Sequence, residues 1–71
     1  MPKTGTPSVR FRAQEERALA MAAENQRHPA VHASWIEVAV SYRRLAEDAE
    51  ALEAKHAARA ARLNALARQP A

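Results

Sequence analysis

The sequence predicts an all-α fold, an antiparallel helical hairpin whose longer second helix extends as a coiled-coil-like arm and is completed by oligomerisation. Three observations predict it. Over residues 31–66, apolar side chains return at alternating three- and four-residue steps: Val31, Trp35, Val38, Tyr42, Leu45, Ala49, Leu52, Leu63 and Leu66, interrupted only by His56 and Arg59. Pro29 breaks the helical pattern that precedes this seam. The chain also has a single glycine, Gly5, which disfavours a sheet protein full of tight turns.

The elements follow in order. Residues 1–8 contain Pro2, Gly5 and Pro7 and read as a flexible tail, with Thr6-Pro7 able to cap a helix and open it. A first helix is expected over about residues 9–26, with Phe11, Ala18, Leu19, Met21 and Ala22 on its apolar face and Arg12, Glu16 and Glu24 pointing elsewhere. The break falls at residues 27–29, where His28 takes the cap position and Pro29 the first helical position. So short a connection sets the two helices antiparallel; the alternative is one long kinked helix. The second helix is expected over about residues 29–67, about 57 Å against roughly 30 Å for the first. The first helix can therefore cover the half bearing Val31, Trp35, Val38, Tyr42 and Leu45, while Leu52, Leu63 and Leu66 project beyond it.

Size and composition make a partner desirable. Of 34 hydrophobic residues in a 71-residue chain, 19 are alanine, which favours helix but buries little area. Chains this short seldom draw more than roughly 3–5 kcal/mol from one core, so association with another copy or another protein is the natural remedy. With no cysteine, disulfides and thiolate metal sites are excluded. No apolar run approaches a membrane span and no signal-peptide core is visible, so the expected compartment is the cytoplasm. The net charge of +3 and pI near 10.2 permit an anionic partner, but 11 basic residues against 8 acidic ones is a mild excess.

Residues 17–53 carry a family resemblance. His28-Pro29 is followed by Trp35-Ile36-Glu37-Val38-Ala39 and then by Tyr42-Arg43-Arg44-Leu45-Ala46-Glu47. This stretch resembles a widespread group of small, uncharacterised bacterial alanine-rich proteins, in which an Asp-Pro step precedes a Leu-x-x-Ala-x-x-Tyr-x-x-Leu-Ala-Glu helix. His28 replaces the usual aspartate and removes the best N-cap side chain. The resemblance implies a helical hairpin and no assigned activity.

Candidate sites are few. Trp35 and Tyr42, seven apart, read as the anchor of a hairpin or dimer core with Phe11 as partner, in preference to a ligand platform. Ile36 and Val40 form a second apolar stripe with Ala33, read as an oligomer contact. The expected protein interface is thus Trp35, Ile36, Val38, Val40, Tyr42, Leu45, Leu52, Leu63 and Leu66. Glu47, Asp48, Glu50 and Glu53 form an acidic section, and Lys55, Arg59, Arg62 and Arg68 a basic one. The basic section suits nucleic acid or an acidic surface, but cations near a helix C-terminus also favour the helix dipole. In an antiparallel pair the two sections could face each other, with His56 and Arg59 setting register. His28 and His32 stand four apart, a zinc-compatible spacing without a clear third ligand, and no metal site is assigned. No catalytic constellation, phosphate loop or cofactor motif is present, so the sequence reads as an interaction or adaptor protein and not an enzyme.

Overall fold

The computed structural model describes residues 5–68. Two helices occupy them, α1 at Pro7–Glu24 and α2 at Pro29–Arg68, and no strand is present among the described residues. Thr6 lies extended ahead of α1 (φ −75°, ψ 164°), and Pro7 takes the first turn, where its missing N–H costs nothing. The helix thus opens on Pro7 after Thr6, as the Thr6-Pro7 step allows, and takes in Pro7 and Ser8 from the tail expected over residues 1–8; residues 1–4 of that stretch lie outside the described residues. Gly5 has φ 87°, a backbone conformation that side chains rarely adopt, and an added Cβ would stand 3.3 Å from Val9 Cγ1.

The break comes earlier than the proline alone suggests. α1 ends at Glu24, and residues 25–28 make the turn. The Asn25 N–H donates to the Ala22 carbonyl at 3.1 Å, and the His28 N–H donates to the Asn25 carbonyl at 2.9 Å. The His32 N–H then reaches the His28 carbonyl at 2.8 Å, so α2 starts on Pro29 with His28 just ahead of it. Pro70 lies beyond the described residues.

The two helices lie side by side in a single layer with Cα extents of 67 × 26 × 10 Å. Between them, α1 contributes Ser8, Phe11, Glu15, Ala18, Ala22 and Asn25, and α2 contributes His32, Trp35, Ala39, Tyr42, Ala46, Ala49 and Glu53, all half-buried or buried. Both sets advance by alternating steps of three and four, as a close helix pair requires.

This phase corrects the expected one. Trp35, Tyr42 and Ala49 are shared, but His32, Ala39 and Ala46 face α1 in place of Val31 and Leu45, with Val38 half-buried on the flank; Glu53 is the last residue to face α1, and Leu52 is exposed, as expected of a residue beyond its cover. Val31, Leu45 and Leu52 are exposed. The reason is the size of the side chains. Helix axes approach most closely where short side chains meet, and among the described residues the buried apolar ones are Ala18, Ala22, Ala39 and Ala46. Large side chains at those positions would hold the axes apart, so they sit on the flanks instead. Four buried methyl groups contribute on the order of 3 kcal/mol, little against the cost of ordering the chain.

Candidate protein interface

Polar ties hold the thin hairpin together at both ends. At the open end, the Ser8 N–H donates to Glu53 Oε2 at 3.1 Å and the Ser8 hydroxyl donates to Glu53 Oε1 at 2.6 Å. The Thr6 hydroxyl then donates to Ser8 Oγ at 3.0 Å, since the one Ser8 hydroxyl proton is already given to the carboxylate. Thr6 makes no side-chain cap hydrogen bond of its own, so a carboxylate from α2 satisfies an N–H in the first turn of α1.

One turn further, Arg12 Nε donates to Glu50 Oε2 at 2.9 Å and Nη2 to Glu50 Oε1 at 3.0 Å, while Nη1 donates to Glu15 Oε1 at 2.9 Å. The hydrogen bonds that Arg12 donates to Glu50, and then to Glu15, hold its guanidinium well above the usual range, and the same bond from Arg12 holds the Glu50 carboxyl below the usual carboxylate range. Arg12, expected to point away from the apolar face, is therefore a cross-helix ligand for a carboxylate.

At the turn, the Asn25 side-chain amide donates to the Met21 carbonyl at 2.7 Å. His32 Nδ1 lies 2.7 Å from the Ala22 carbonyl, which can only accept, so Nδ1 carries the proton. This histidine, considered above as half of a zinc pair, closes the carbonyl end of α1. No group of three or more His, Cys, Asp or Glu side chains converges among the described residues.

A layer one helix thick leaves two broad faces. On one, Gln14, Arg17, Ala18 and Met21 of α1 and Trp35, Val38 and Tyr42 of α2 line an apolar groove of about 270 Å³. Phe11 adds its ring beside Tyr42, with centroids 6.5 Å apart and planes inclined by 34°. Val31 and Leu45 stand seven residues before and after Val38, so these members of the expected seam line up along this face, with Trp35 and Tyr42 at its edge against α1. It is an outer face, with one edge against α1, rather than the hairpin's inner contact.

The opposite face is mixed. Leu19, Ile36 and Val40 lie beside Glu15 and Arg43, and Val9 lies beside Arg12, Glu16 and Glu50. Ile36 and Val40 are thus separated from the other expected interface residues and placed among charges.

Past Glu53 no α1 residue accompanies α2, and every side chain of residues 54–68 is exposed. Leu52, Leu63 and Leu66 are 54–58% exposed in this region. Lys55, His56, Arg59 and Arg62 share one flank of the arm and Arg68 sits in its last turn, a helix end that favours cations. No helix among the described residues is long and apolar enough to cross a membrane. No family model, curated protein or solved structure matches the chain.

Proposed function

We propose that this chain is a small non-enzymatic interaction or adaptor protein of the cytoplasm. It self-associates or packs onto a partner protein through the outer seam of α2. The observation that carries this reading is the line of Val31, Leu45, Leu52, Leu63 and Leu66, all large, apolar and exposed, along one continuous helix. Isolated exposed leucines are ordinary, but a heptad-spaced row on a 40-residue helix is the pattern that a second helix covers. The weak hairpin core adds to the case, because partner contacts supply burial that four alanines cannot.

Light scattering across a concentration series tests it. The expected mass exceeds the 7.8 kDa of one chain. A monomer with a fully ordered arm at micromolar concentration would overturn self-association and leave only a foreign partner.

A second reading is nucleic-acid association through Lys55, Arg59, Arg62 and Arg68, favoured by the absence of any acidic residue over residues 55–68. It predicts DNA or RNA binding whose affinity falls steeply with salt. Lack of binding at low salt removes it.

A further inference from the structure

Two features of this molecule lack a counterpart, and each has the shape of what the other lacks. The groove between α1 and α2 has no third helix over it, and the arm has no helix beside it. The inner face of α2 repeats along its length. Ala39 and Ala46 are buried against α1, and Ala60 and Ala67 recur at the same seven-residue spacing in the arm, where nothing covers them. Beyond Glu53, which interrupts the stripe where it bonds Ser8, the arm thus resumes the alanine spacing that α1 accepts in the body and carries the leucine seam beside it.

We infer that the partner is a second copy of this chain, bound antiparallel, with the arm of each copy seated in the groove of the other. The inference rests on the interaction reading above. The pairing brings Ala49 opposite the partner's Leu52, Val38 opposite the partner's Leu63, and Trp35 opposite the partner's Leu66. Residues 54–68 of one copy then lie along residues 33–47 of the other, so neither arm overhangs. At 1.5 Å per residue each arm covers about 22 Å of groove. The arm's alanines at 60 and 67 approach α1 of the other copy, as Ala39 and Ala46 do within one chain.

Charge selects this arrangement over a parallel one. Asp48 and Lys55 occupy the same flank of the seam, seven residues apart. In the antiparallel pairing each Asp48 meets the partner's Lys55, twice by symmetry, whereas parallel chains set Asp48 against the partner's Glu53 and Lys55 against the partner's Ala60. Glu50 and Glu53 are already engaged by Arg12 and Ser8, and of the remaining Glu47 and Asp48 it is Asp48, one residue before Ala49, that flanks the seam. Arg59, one of two polar residues on the seam, comes opposite the partner's Tyr42, whose ring face attracts a guanidinium.

The absence of cysteine makes the test direct. Full-length Val38→Cys and Leu63→Cys chains are mixed and oxidised gently, with the mass of the unmodified chain measured alongside. The inference expects twice the chain mass and a mixed 38–63 disulfide at several-fold excess over either symmetric one. Symmetric disulfides on a dimer would overturn the antiparallel arrangement and leave the interaction reading standing. A 7.8 kDa species without cross-links would overturn the second copy as partner. A charge exchange gives a second readout on exposed residues that the hairpin does not use. Asp48→Lys should weaken the dimer several-fold and Asp48→Lys/Lys55→Asp should restore it; equal affinity in all three chains would refute the register.

Discussion

The body of the hairpin and the arm are parts of one helix with opposite solutions to the same sequence pattern. In the body, α2 turns Ala39 and Ala46 inward, with Trp35 and Tyr42 half-buried beside them and Val31 and Leu45 on the flank, and α1 meets the alanines with Ala18 and Ala22. In the arm the same heptad continues with nothing against it. The contrast teaches that the leucine seam is not what closes the hairpin. Small side chains set the helix spacing, and a few hydrogen bonds at the two ends fix register, while the large apolar residues remain for an outside contact.

The sharpest way to break the comparison is to enlarge one alanine in each region. Ala46→Leu inserts three carbons where the helices touch and should cost about 2–3 kcal/mol by overpacking, read by urea denaturation. Ala57→Leu, at an exposed arm position, should change stability by less than about 0.5 kcal/mol. If both were neutral, the alanine contact would not set the helix spacing.

Next in size is the open-end tie. Glu53→Ala removes both acceptors of Ser8 and should cost about 1–2 kcal/mol, with faster amide exchange in the first turn of α1. At the turn, His32→Ala leaves the Ala22 carbonyl with its backbone partner only and should cost about 1 kcal/mol, whereas His28→Ala, on an exposed ring, should cost almost nothing. Equal effects at the two histidines would point to a shared role, such as a metal, instead of a cap.

The smallest expected effect belongs to Arg12 and Glu50, which are exposed. Because Arg12 lowers the carboxyl of Glu50 in the folded state, the stabilisation is present above the ordinary carboxylate range and is lost as pH falls through and below it. Glu50→Gln should flatten that acid limb of the stability profile, and added salt should shrink the difference between the two chains.

Much of the architecture was legible in the sequence. Pro7 and Pro29 mark the two helix starts, alanine content announces helix, and the distance from Pro29 to Pro70 announces unequal lengths. The phase of the internal contact was not legible, because ranking side chains by hydrophobicity selects Val31, Val38 and Leu45 over Ala39 and Ala46. That ranking suits a bundle with several layers, where large side chains fill space between helices. In a two-helix layer such space is confined to the edge where Phe11, Trp35 and Tyr42 sit half-buried. The tie between Ser8 and Glu53 joins residues 45 apart and carries no local signal. A signal for His32 did exist: it sits one turn into α2, next to a turn whose α1 carbonyls need donors.

The thinness of the molecule has a consequence for how its sequence can vary. A body only 10 Å deep through its Cα atoms has hardly any interior, so few positions constrain one another by packing. Substitution should be tolerated freely along most of the chain and refused at a handful of sites where only a methyl group fits. Descendants of this hairpin could therefore drift until little but that spacing of alanines and the two helix-opening prolines marks their common origin.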